Sequence, residues 1–172
     1  FSRTMRISAV SLLLLSVCLL PVMAYPAKGG KLVHFGNCVL SVPIHDLEET
    51  IRGIKGHIVS ASEGDPTILL LKIGTLDSVR SAESCCFLKQ LLAFYLDSVL
   101  PHLRGVPTHV RRHASRLGNG LLLLARSVEN CHCDCGEEVP DKTQSIRSTF
   151  DGMDKEAAVG KAVSEMDIFL NW

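Results

Sequence analysis

Glu83–Leu100, ESCCFLKQLLAFYLDSVL, followed by Pro101, is the stretch that decides the fold. Phe87, Leu88, Leu91, Leu92, Phe94, Tyr95, Leu96, Val99 and Leu100 are apolar, while Lys89, Gln90, Ala93, Asp97 and Ser98 fall on one narrow stripe at helical spacing. A helix that is apolar nearly all round belongs inside a bundle. Ser81 or Ser84 can cap its start, Glu83 sits in the favourable first turn, and Pro101 is expected to end it. At about 18 residues it is too polar to be a membrane span. Cys85 and Cys86 open it, three more cysteines crowd into Asn130–Cys135, and Cys38 precedes them all. The six are expected to staple the other helices' ends to the central one.

Working outward, the beginning of the chain reads as a targeting signal over residues 1–24, with Met5 as the expected start. Arg6 supplies the positive region, an apolar core follows, and Val22-Met23-Ala24 is a small-residue cleavage site. Cys18 leaves with it. Residues 25–172 are expected to form one secreted domain. Without Arg3 and Arg6 the balance is 16 cations against 18 acids, or −2, which excludes a nucleic-acid binder by global charge. Six cysteines in an oxidising compartment argue for three disulfides. Asn37, Asn119 and Asn130 lack the hydroxyl residue of a glycosylation sequon.

Tyr25–Lys31 reads as a loose arm. Pro43 precedes Ile44, Leu47, Ile51, Ile54 and Ile58, a one-faced helix expected to end near Ala61 before the turn at Ser62–Pro66. Ile68–Leu71 has strand composition but no evident partner, so an extended pass is expected, with a short helical turn near Thr75–Arg80. Thr108–Asn130 is helical by period, with Gly118-Asn119-Gly120 as a weak spot or kink. Asp141–Met153 is a short helix, and Asp154 caps a last one carrying Ala158, Val159, Ala162, Val163, Met166, Phe169 and Leu170. The fold class is all-α: a compact bundle of four longer and two short helices.

Three blocks carry a resemblance. ESCCFLKQLLAFYLDSVLPH, CDCGEE (Cys133–Glu138) and AAVGKAVSEMDIFLNW (Ala157–Trp172) resemble, in order, blocks of the interleukin-20 branch (interleukins 19, 20 and 24) of the interleukin-10 cytokine family. The chain departs from that branch between Cys131 and Cys133, where about four residues are missing by the comparison. The resemblance implies the pairs Cys38–Cys131, Cys85–Cys133 and Cys86–Cys135. Cys85 and Cys86 point about 100° apart on a helix, so each can meet a different partner. The loops closed by Cys38–Cys131 and Cys85–Cys133 would each contribute on the order of 4 kcal/mol alone, less together.

The resemblance further implies a secreted cytokine that bridges two different class II receptor chains and starts JAK–STAT signalling in epithelial or immune responses. Its receptor-contact candidates are Glu48, Glu49, Lys72, Lys161 and Glu165. Other readings are a secreted helical carrier of an apolar ligand, and an antagonist of the same fold. A monomer is expected, although a short, strained link before the last helices would favour swapping. Arg104, Arg111, Arg112 and Arg116 form the one basic concentration and could touch sulfated polysaccharide. His109 and His113 sit at zinc-like i,i+4 spacing, but no third ligand is evident and the arginines repel a cation. CHCDC is spaced unlike a closed zinc site. No GxSxG, HExxH, phosphate-binding glycine loop or dinucleotide fingerprint occurs, and neither an enzyme nor a cofactor is expected.

Overall fold

A computed structural model describes residues 29–58 and 67–172. The expected signal at 1–24 and the turn at Ser62–Pro66 lie outside the described residues.

The first element is one that helical periodicity does not announce. β1 (Lys31–Phe35) pairs antiparallel with β2 (Cys38–Val42), in the register Lys31↔Val42 to Phe35↔Cys38. Gly36, at φ +59°, opens the two-residue connection, the place where a type II′ hairpin turn demands glycine. Cys38, Leu40 and Val42 face the core, while Leu32 and Val39 stay exposed. The segment expected to be a loose arm thus runs into a strand at Lys31. The hairpin adds to the bundle and leaves it mostly helical.

α1 (Ile44–Ile58) buries Leu47, Ile51 and Ile54. The pass after residue 67 carries no strand and leads into α2 (Ile73–Asp77). α3 (Ser84–Phe94) is the central helix, with Cys85, Cys86, Phe87, Leu88, Leu91, Leu92 and Phe94 buried. Pro101 does not stop it. The helix widens to a π turn over Tyr95–Val99 and resumes as 3₁₀ turns over Leu100–Gly105, where Pro101 sits in the first turn and its missing N–H costs nothing.

α4 (Thr108–Glu129) runs unbroken through Gly118 and Gly120. α5 (Glu138–Asp151) begins three residues earlier than periodicity suggests, because Pro140 is tolerated in a first turn. The last helix divides at Glu165 into α6 (Lys155–Ser164) and α7 (Met166–Asn171). The Asp154 carboxylate accepts the Ala157 N–H at 3.3 Å, the expected cap.

One core joins all of these. Phe94 meets Phe150 edge-on, and Tyr95 donates to the Ala162 carbonyl at 3.2 Å. Burial, and then the Glu165 charge, push the Tyr95 phenol well above its ordinary range. Trp172 packs on Phe35 and Phe87 and donates to the Leu76 carbonyl at 3.1 Å, tying hairpin, α2 and α3 together. Three disulfides tie β2 and the start of α3 to the link between α4 and α5: Cys38–Cys131, Cys85–Cys133 and Cys86–Cys135, with Cα separations of 5.6, 5.3 and 5.0 Å. The sulfurs of Cys38, Cys85 and Cys131 lie within 4.8 Å of one another, and all three are committed to these bridges. No helix among the described residues is long and apolar enough to cross a membrane.

Candidate functional site: a receptor-facing surface

Glu165 organises the surface. Its Oε2 accepts the N–H groups of Leu70 and Leu71 at 2.8 and 2.7 Å. Those two consecutive donors lie at a bend that turns both toward one carboxylate oxygen, and it satisfies them together. The Lys161 ammonium lies 3.7 Å from its other oxygen. Glu165 is only 6% exposed. An exposed contact charge was expected there; instead the side chain turns inward because two main-chain donors need it. Lys161 is half-buried beside it.

Holding Leu70 and Leu71 inward leaves their neighbours outward. Leu69 is 42% and Ile73 63% exposed, with the exposed Lys72 between the buried pair and Ile73. Ile73 shares a shallow hollow of about 280 Å³ with Leu76, Asp77, Asp167, Ile168, Asn171 and Trp172. Asp167 in turn pairs with Lys55 of α1. Glu48 borders a second hollow of about 320 Å³ together with Arg52, Lys55, Asp167 and Leu170. The surface therefore joins α1, the pass and α7, and it combines exposed aliphatic groups with charges of both signs.

Of the residues singled out by sequence, Glu48, Lys72 and Lys161 belong to this surface. Glu165 underlies it, and Glu49 is exposed beside Arg116 of α4, at 3.9 Å. Leu69, Ile73 and the Lys55–Asp167 pair escaped sequence reading. Isoleucine at the start of a helix reads as core until the structure shows which side it takes.

The basic run splits. Arg104 and Arg111 border a cleft of about 210 Å³ with Leu100, Leu103, Ala114, Ser115 and Gly118. Arg111 also donates to Thr108 at 3.1 Å, and Arg116 faces Glu49.

A family model described as Interleukin 10 matches residues 14–172. The chain belongs to the interleukin-10 family. Within it, mouse interleukin-20 is 31% identical over 151 residues, covering 86% of each chain. Rat interleukin-24 is 32% identical over 165 residues, covering 92% of this chain and 90% of its own. Among solved structures, an edited human interleukin-24 superposes with a TM-score of 0.69 at 31% identity, over 81% of this chain and 94% of its own. Human interleukin-19 gives 0.67 at 28% identity, over 75% and 85%. This interleukin-10 family member is a cytokine by fold and kinship, and not an enzyme.

Proposed function

We propose that the protein is a secreted cytokine that bridges two class II cytokine receptor chains and so starts JAK–STAT signalling. The observation that carries this reading is the surface held in place by Glu165. Ile73, Leu69 and Lys72 stand out from a backbone that a buried carboxylate fixes, so little ordering is left to offset on binding. Exposed aliphatic groups ringed by charge are what a receptor loop would cover. Glu48, Lys72 and Lys161 are the polar contacts at its edge, and Glu165 positions it. Glu49 serves a different face, shared with α4. The two faces suit a wedge that brings two unlike receptor chains together.

The test is STAT phosphorylation in receptor-bearing epithelial cells. Ile73→Asp should lower potency by roughly tenfold or more with thermal stability unchanged. An unchanged dose response would remove this surface from the receptor contact, and no phosphorylation by the parent protein would favour the antagonist.

The carrier reading needs an enclosed cavity. A hollow of about 570 Å³ instead opens at the surface between His57, Leu103, Val106 and Val159, while Phe87, Phe94, Tyr95 and Phe150 are buried in the core. Sulfated polysaccharide would touch the Arg104–Arg111 cleft as a weak second contact, read out as loss of heparin-column retention in Arg111→Ala. The three disulfide pairs are proposed for the secreted protein, to be checked by non-reducing peptide mapping. A monomer is proposed, since all three cysteines of the link to α5 are tied back to their own bundle. Light scattering at twice the chain mass would overturn that.

A further inference from the structure

We propose that His57 and His109 form a surface binding site for a divalent transition-metal ion, zinc in the first instance, that clips α1 to α4. His57 stands in the last turn of α1 and His109 in the first turn of α4. The two helices run antiparallel, so the side chains meet although 52 residues separate them. Their Nε2 atoms are 2.5 Å apart, with the ring planes at 64°. Both side chains are exposed, so an ion can reach them.

Chemistry makes this pair unusual. Two neutral imidazoles can share only one N–H along that line, and two imidazolium ions could not occupy it. A metal ion is the other species that two facing nitrogens accept together. Two nitrogens bound at ordinary zinc distances in tetrahedral geometry lie about 3.3 Å apart. Opening the present separation by roughly 0.8 Å, within side-chain freedom at an exposed site, makes room for the ion.

Sequence spacing suggested His109 with His113 and lacked a third ligand. The structure sets His57 of α1, not His113, against His109. One turn along the same seam, the ring of His113 lies over Gly53, where a Cβ would come within 2.7 Å of it, and its Nδ1 is buried without a hydrogen-bond partner. His102 and Glu156 border the hollow that His57 also lines. The two imidazole nitrogens are the protein ligands, and water completes the coordination. Arg111, Arg112 and Arg116 share α4, and Arg116 has Glu49 beside it. Imidazole as the only first ligand selects zinc, copper(II) or nickel over calcium or magnesium.

The experiment titrates tag-free protein with zinc chloride by calorimetry and follows the histidine ring nitrogens by NMR. One ion per chain is expected, shifting the ring signals of His57 and His109. His57→Ala and His109→Ala should each weaken binding by at least about tenfold, while His132→Ala, at the disulfide end, should not. The NMR arm uses the unaltered protein, so a variant that folds poorly does not blunt the test. Zinc that shifts other histidines and leaves these two unmoved, or no binding at all, overturns the proposal.

Discussion

Glu83 and Glu165 are both buried glutamates, 2% and 6% exposed, and they hold different things. Glu83 begins the central helix and takes two hydrogen bonds, at 2.9 and 2.7 Å, from the guanidinium of Arg80 three residues away. That guanidinium is largely exposed, so the bracket is local and open to water. Glu165 grips main-chain donors 94 and 95 residues away, on a segment that lies outside the β1–β2 sheet. The local bracket tunes a helix start; the distant one decides where a binding loop lies. A carboxylate's reach along the chain, more than its burial, separates the two roles.

The sharpest way to break this contrast is Glu165→Ala. It strands two buried N–H groups and should cost about 3 kcal/mol of stability, measured by urea denaturation, and should abolish STAT phosphorylation. Glu165→Gln keeps one acceptor oxygen and should fall between. If Glu165→Ala unfolds at the parent's urea midpoint and Leu70 and Leu71 keep their amide protection, the distant bracket carries nothing.

Gly136→Ala probes the local one. Gly136 sits at φ +51°, and a Cβ there would fall 1.5 Å from Glu83 Oε1. The left-handed backbone alone costs alanine about 1 kcal/mol or more, and displacing the carboxylate adds to that. In a Glu83→Ala background only the backbone part should remain. A cycle showing no coupling between the two positions would mean that they do not meet.

Acid adds a smaller test of the same bracket. The hydrogen bond from Arg80 holds the Glu83 carboxyl below its ordinary range. A carboxyl lowered in the folded state gives stability that is whole above the unfolded value, near about 4.3, and is lost as pH falls through the folded one. Glu83→Gln should therefore flatten the acid arm of a stability–pH curve below that value and leave neutral pH little affected by titration. Glu138, lowered by Lys142, acts in the same window and sets the residual slope.

Much of this was legible. The central helix, the amphipathic α1 and α4, the Asp154 cap and the cysteine-rich link all follow from period and capping residues. The hairpin carries a weaker signal: Gly36-Asn37 is a two-residue turn pair, but KLVHF and CVLSV on either side do not alternate strictly between polar and apolar. Pro101 and Pro140 misled because proline is costly inside a helix and free in a first turn. Glu165 and the histidine pair were not legible. Both depend on groups far away in sequence that local pattern cannot bring together.

Gly118 and Gly120 carry the same lesson at the smallest scale. Both lie mid-helix in α4, and by sequence both should gain from alanine. An added methyl at Gly118 would meet Leu100 at 3.4 Å, an ordinary contact, so Gly118→Ala should stabilise by about 0.5–1 kcal/mol. At Gly120 it would meet the terminal methyl of Leu47 at 2.8 Å. Leu47 is buried in the seam between α1 and α4, where overpacking costs about 1–3 kcal/mol. The helical gain is then cancelled or reversed, and Gly120→Ala should be neutral or destabilising by up to about 1 kcal/mol. Shortening the neighbour should relieve it: in a Leu47→Val background, Gly120→Ala should recover part of its gain. Equal stabilisation by both alanines in thermal unfolding would show that Leu47 yields freely and that the seam is looser than its geometry.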